Sequence, residues 1–277
     1  MELNVFLLAP LAFVCEYIDS TLGMGYGTTL TPILLLLGYN PLQVVPVILL
    51  SELCSGLLAA FFHHREGNVD LKPKTMNISV IAEKLRSVGY IEGFNRGVPL
   101  HLKVALLLAV CSTAGTIVAV FVAVSIPRYW LKLYIGCMIF SMGVIITVCA
   151  NKEFQFSWKR ITSVGLIASF NKGISGGGYG PVVTGGQILS GVEGRSAVGI
   201  TSLAEGLTCA VGIIAYSLVL MDPLDLRLGS VITVGALLSV PFSAKSVRRA
   251  SVRRLKLAIG IFTIILGAVT VLRTVHS

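Results

Sequence analysis

Gly23-Met24-Gly25-Tyr26-Gly27 returns 153 positions later as Gly176-Gly177-Gly178-Tyr179-Gly180. The same offset carries Gly38 onto Gly191 and Ser51-Glu52 onto Ala204-Glu205. Leu131-Lys132-Leu133-Tyr134-Ile135-Gly136 returns as Leu255-Lys256-Leu257-Ala258-Ile259-Gly260, now 124 positions on, so the first half carries 29 additional residues between Leu71 and Lys103. The chain reads as a duplication, with halves 1–150 and 151–277 and an insertion at about 72–102. Two copies, each holding a glycine-rich break inside apolar sequence, outline a transporter.

Composition sets the medium. The 277 residues are 55% hydrophobic and 13% charged, with a mean hydropathy of +0.86, far more apolar than a water-soluble domain. Apolar windows near 41–62, 104–125, 131–150, 197–220, 228–244 and 255–272 approach or exceed the roughly 20 residues that cross a bilayer as helix. In lipid every backbone polar group must bond internally, which leaves helices or a closed barrel. These runs lack barrel alternation and are too long for barrel strands, so an all-α polytopic membrane bundle is expected. The apolar start has no basic n-region or A-x-A site and reads as part of the mature fold. The six cysteines lie in apolar stretches without C-x-x-C spacing and read as small buried hydrophobes. The net charge of +9 is carried in short loops, where orientation in the membrane explains it better than nucleic acid does.

Loop charge decides the topology. If the segments before residues 40 and 193 each crossed the membrane, the halves would run parallel and the Lys and Arg residues would split twelve against nine. If each segment turns back, each half has three true spans and the second is inserted upside down. The split is then seventeen against four, which the positive-inside rule prefers. The expected fold is two inverted repeats, each a re-entrant hairpin plus three transmembrane helices, with both termini extracytoplasmic in the cell (inner) membrane. Thr28–Gly38 and Pro181–Gly191 each span 11 residues, about 16 Å of helix, or half a membrane. Each glycine-rich break is therefore expected as a hairpin tip near mid-depth, where unwound backbone is tolerated only along a cavity. The insertion is expected to hold an amphipathic helix at Lys74–Val88 as a cytoplasmic lid or surface element. On that face the sequon match at Asn77-Ile78-Ser79 is chance.

Ionisable residues inside apolar segments are rare and default to a functional reading, since a charge at bilayer centre costs roughly 3 kcal/mol or more. Lys172 precedes the second tip and is the repeat mate of Asp19. An ammonium beside the N-terminus of a half-helix makes an anion site, unless Lys172 snorkels or pairs with a nearby carboxylate. Glu52 and Glu205 are repeat mates in the helices after the hairpins; with Asp19 they are candidates for ion coupling by proton or sodium. They could equally neutralise Lys172 or cap the tips. Gly25, Tyr26 and Gly27 at one tip, with Gly178, Tyr179, Gly180, Thr201 and Ser202 at the other, are the candidate substrate contacts, against ordinary helix packing for the tyrosines. Glu16 is a further charge inside an apolar segment. His63-His64, at the end of a span, read as interface residues, and no cluster supplies metal ligands. Neither tip fits G-x-x-x-x-G-K-[ST]. No cofactor is expected, and a gradient must supply the energy.

Gly23–Gly27 followed by Thr31-Pro32 and Gly38, with Gly176–Gly180 and Gly199-Ile200-Thr201-Ser202-Leu203 in the second half, resembles the TauE/SafE family of sulfite exporter-like membrane transporters. The resemblance covers nearly the whole chain and implies movement of a small sulfur-containing or organic anion: sulfite, a sulfonate or a related carboxylate. The family commonly places Gly-Thr-Ser-Leu in both halves; here the first half has Val47-Ile48-Leu49-Leu50 instead, which puts the substrate nearer the second half. The reading is a secondary transporter, not an enzyme, that works by alternating access with a small anion, a coupling ion and the bilayer as partners. An anion channel, a membrane scaffold or assembly factor, and a polytopic enzyme are the rivals, and a homodimer is left open.

Overall fold

The computed structural model describes residues 5–72, 98–148, 157–189, 192–220, 224–247 and 252–276. The expected insertion helix, the sequon and Gly191 lie outside them. The described residues form helices without a strand: α1 (Leu8–Leu22), α2 (Tyr26–Leu36), α3 (Pro41–Arg65), α4 (Leu100–Ser125), α5 (Arg128–Val148), α6 (Trp158–Ser175), α7 (Tyr179–Leu189), α8 (Gly194–Leu220), α9 (Leu226–Ser246) and α10 (Val252–Val275). Four of them, α3, α4, α8 and α9, are long and apolar enough to cross a bilayer. Large apolar side chains such as Val110, Phe121, Leu218, Leu238, Phe242 and Leu272 lie on the outside, as lipid-facing surface requires. This is a multi-pass membrane protein.

Local chemistry sets the breaks. α1 stops at Gly23 (φ 71°), whose N–H bonds Asp19 O. α6 stops in the same way at Gly176 (φ 71°), bonded to Lys172 O. A left-handed residue at the end of a helix is the usual glycine cap. Gly25 (φ 136°) and Gly178 (φ 80°) then turn the chain into α2 and α7. Those two helices are 11 residues each, the half-membrane length expected, and begin at Tyr26 and Tyr179, two residues earlier than the sequence suggested. Elsewhere Asn40 caps α3 by accepting from Leu42 N at 3.2 Å, with Pro41 opening the helix. Asp225 caps α9 by accepting from Leu228 N at 2.9 Å.

The packing repeats with the sequence. Exchange of the halves maps α1, α2, α3, α4 and α5 onto α6, α7, α8, α9 and α10. It also maps each partnership onto another: α1 lies on α9 as α6 lies on α4, and α9 lies on α3 as α4 lies on α8. Two pairs map onto themselves, α3 with α8 and α5 with α10. Both are antiparallel. Along α5, Gly136 meets Thr270 and Val271 while Gly143 meets Ile264 and Gly260; along α3, Leu49 meets Gly212 while Gly56 meets Ser202 and Gly206. The approach is close: a Cβ on Gly143 would sit 2.7 Å from Ile264 N, and one on Gly267 would sit 2.7 Å from Phe140 Cα. Small residues permit such contact where lipid gives no hydrophobic drive.

Two expectations are corrected. His63 is not an interface residue; it is fully buried, held by partners described below. Cys137 is exposed on α5, whereas Cys15 and Cys209 are buried as expected.

Candidate functional site

The two glycine-rich tips touch each other. A Cβ on Gly177 would sit 2.7 Å from Gly27 C, and one on Gly180 would sit 2.9 Å from Met24 Cα. The reason for glycine is therefore first the mutual approach of two backbones, which no larger residue allows. The tip tyrosines are fully buried and face opposite partners. The Tyr26 hydroxyl pairs with Ser51 Oγ at 2.6 Å, and that of Tyr179 with Ser112 Oγ at 3.3 Å.

Beside the tips lies a buried charge cluster. Lys172, with no exposed surface, donates to Glu205 Oε1 at 2.7 Å and to Glu52 Oε2. The repeat-mate glutamates thus clasp one ammonium, and Glu52 keeps its Oε1 without a partner. Cys209 Sγ lies 3.8 Å from Glu52 Oε2. Two more carboxylates sit within electrostatic reach of this cluster. Glu16 Oε2 accepts from Ser55 Oγ at 3.0 Å, and Asp19 Oδ1 accepts from Tyr26 N at 3.1 Å. Among the described residues, three buried acids and the half-buried Asp19 face one buried cation. Asp19 also fills the N-terminus of α2 with the chain's own anion, the position a carboxylate prefers. At the mate position in the second half stands Lys172, and none of these four carboxylates caps the amides of Gly178, Tyr179 and Gly180.

Thr201 belongs to a second polar group that the sequence reading missed in part. Gln187 Nε2 donates to Thr201 Oγ1 at 2.8 Å, Thr201 and Thr184 share a hydroxyl bond at 2.9 Å, and Thr184 Oγ1 donates to the Gly23 carbonyl at 2.7 Å. All three side chains are buried. Their repeat mates are Leu34, Ile48 and Thr31, so the group exists in one half only. A glutamine one turn after a threonine inside an apolar half-helix was the available signal. Ser202 does not join; its hydroxyl bonds Val198 O of its own helix at 3.0 Å.

A broken helix leaves its last carbonyls without intrahelical donors, and here one is taken up in each half at the same register. His63 Nε2 meets Ser20 O at 2.8 Å, and Tyr216 Oη donates to Gly173 O at 2.8 Å. His63 and Tyr216 are repeat mates, as are Ser20 and Gly173. Asn68 Nδ2 holds the other ring nitrogen of His63 at 3.1 Å and also bonds Ala244 O at 2.9 Å. Tyr216 lines a cavity of about 420 Å³ with Asn40, Gln43, Arg128 and Asp225. No group of metal-ligating His, Cys, Asp and Glu side chains occurs among the described residues.

Comparison with known proteins agrees with the architecture. The family model described as sulfite exporter TauE/SafE matches residues 8–82 and 75–270. A relative from Bacillus subtilis (strain 168), the probable membrane transporter protein YtnM, is 24% identical over 97% of this chain and 83% of its own length. No solved structure matches. The chain belongs to the TauE/SafE family of membrane transporters.

Proposed function

We propose that this TauE/SafE protein is a secondary transporter that carries a small anion, sulfite or a related sulfonate or carboxylate, by ion-coupled alternating access. The observation that carries the anion site is the exchange of Asp19 for Lys172 between the halves. In the first half the N-terminus of α2 is filled by Asp19 Oδ1, 3.1 Å from Tyr26 N. In the second, the mate position carries Lys172, whose buried ammonium is held by Glu52 and Glu205, and none of the cluster's carboxylates takes the amides of α7. Helix N-terminus, bare glycine backbone and Lys172 all favour negative charge there. Tyr179 opens α7 at this point, and Thr201 lies one turn before Glu205 on α8.

Inverted halves are supported by the antiparallel packing of repeat mates. A two-fold operation that carries α3 onto an antiparallel α8 must lie across both helices. For helices that cross a bilayer, that axis lies in the membrane plane, the arrangement of inverted-repeat transporters. Loop charge then favours both termini outside.

In this reading Lys172 trades a carboxylate for the substrate. An incoming anion takes one side of the ammonium, and the displaced glutamate, Glu52 or Glu205, is discharged by a proton or offset by a cation, because buried like charges are costly. Uptake of labelled sulfite, a sulfonate and a carboxylate into proteoliposomes tests the reading. Transport of at least one is expected, together with its loss in Lys172→Gln; flux unchanged in that variant would overturn the anion site.

A further inference from the structure

We propose that Gly23 O, Thr184 Oγ1, Thr201 Oγ1 and the Gln187 carboxamide oxygen form the site of the coupling cation, a sodium ion. This rests on the transport reading above and names its ion. Three observations converge. First, Gln187 Oε1 is buried and has no hydrogen-bond partner, although its amide nitrogen is engaged. An unpaired acceptor in a dry interior costs free energy unless a ligand or water takes it up. Second, the oxygens gather at the C-terminal end of α1, where the helix dipole is negative and carbonyls point away from the helix. Ends of half-helices and unwound carbonyls are where such transporters hold cations.

Third, the surrounding charge calls for a cation. Glu16, Asp19, Glu52 and Glu205 face only Lys172 among the described residues, and among those residues no cation pairs with Glu16 or Asp19. Asp19 lies one turn before Gly23. An anionic substrate arriving here deepens a negative excess, so a positive charge entering with it lowers the energy of both. The ligand set fixes the valence. Hard divalent cations collect carboxylates, whereas this set is neutral and made of hydroxyls, one amide and one backbone carbonyl. The first half cannot repeat the site, because Leu34 and Ile48 stand where Gln187 and Thr201 do.

Gln187→Leu and Thr201→Ile copy the first half's own residues and are chosen to keep the packing. Thermal unfolding of the purified protein in detergent is followed in equimolar sodium, potassium and choline chloride, with proteoliposome flux measured in sodium and in choline at one pH. Sodium is expected to raise the wild-type Tm by several degrees in a saturable way, as a ligand of the folded state does. Potassium and choline should not, and both variants should lose the shift, with at least a tenfold weaker sodium dependence of flux. A sodium shift kept in Gln187→Leu and Thr201→Ile overturns the site. Equal flux in choline without any sodium-specific shift overturns the sodium inference while leaving the transporter intact. A sodium-specific shift lost in both variants supports the site even if no anion moves, in which case the transport reading alone falls.

Discussion

Replacing Lys172 by methionine separates what the ammonium does for the fold from what it does for the substrate. Lys172 has no exposed surface and its two carboxylate partners are nearly as buried, at 4% and 7%, so solvent screening discounts little. Removing one partner of a buried ion pair costs about 3–5 kcal/mol, chiefly because the surviving charge is left unpaired. Here two carboxylates are left, so the upper part of that range applies. For a chain of this size it corresponds to a fall in Tm of about 6–20 °C. The triple variant Lys172→Met, Glu52→Gln, Glu205→Gln removes the charge together with its partners and should recover most of that loss, because well-packed neutral side chains replace a buried ion cluster at little cost. Melting in detergent gives the stability, and proteoliposome flux of the transported anion gives the function. The triple variant should be stable and dead. A triple variant that regains transport would refute the anion role and reduce Lys172 to a counter-ion.

Other outcomes follow from the same geometry. Tyr216→Phe and His63→Leu each delete a bond to a carbonyl at a broken helix end, worth about 1 kcal/mol, with His63→Leu also losing the Asn68 bond; each should raise labelling of Cys209 by an impermeant thiol reagent about fivefold or more, from opposite faces of the membrane, and labelling from one face in both would contradict inverted halves. His63→Gln keeps an N–H donor and should label like the wild type. Gly177→Ala sets a methyl 2.7 Å from the backbone of Gly27 and should sharply reduce the yield of folded protein on size exclusion. Gly185→Ala meets nothing within 4 Å, lies within α7, and should raise Tm slightly, since alanine outranks glycine in a helix by about 1 kcal/mol. Asp19→Asn removes the charge at the N-terminus of α2 but keeps an acceptor for Tyr26 N; it should cost about 1 kcal/mol or less and leave the anion's KM within about twofold of wild type, since the substrate is placed on α7.

The helical class, the duplicated elements and the half-length of α2 and α7 were legible because each has a one-dimensional signature: apolar length, a repeated glycine run, a distance between breaks. So was the clasp of Glu52 and Glu205 on Lys172 as one of two readings, because intramembrane charges are few and must find each other. What the glycines approach was not legible. The sequence allowed a ligand at the tips, and the nearest neighbour of Gly27 is Gly176, a contact between segments 149 residues apart that no local pattern encodes. Gln187 was missed although Thr184 precedes it by one turn in α7, because its meaning emerges only when α8 brings Thr201 against both. His63 was misjudged because a histidine at a span's end normally marks the interface, and only the bend of α1 offers it Ser20 O.

On the proposed reading, duplication with later divergence leaves one half as frame and the other as site. The backbone roles are kept by both copies: tips in mutual contact, a glutamate at the mate position, a donor at position 63 or 216 for the carbonyl at 20 or 173. Symmetry of that kind lets two conformations related by exchange of the halves lie close in energy, which a cycle of alternating access needs. The chemistry, by contrast, is deliberately unequal, with Asp19 against Lys172, Leu34 against Gln187 and Ile48 against Thr201. Were the site symmetric, an anion and a cation would each find two equivalent places astride the axis, and like ligands could enter side by side. On the proposed reading, breaking the symmetry at three mate positions leaves one anion locus by α7 and one cation locus by the end of α1, so that each charge can stabilise the other. In that reading proximity, and not either affinity alone, would couple the two fluxes, because a site that welcomes the pair and repels each member singly moves them together.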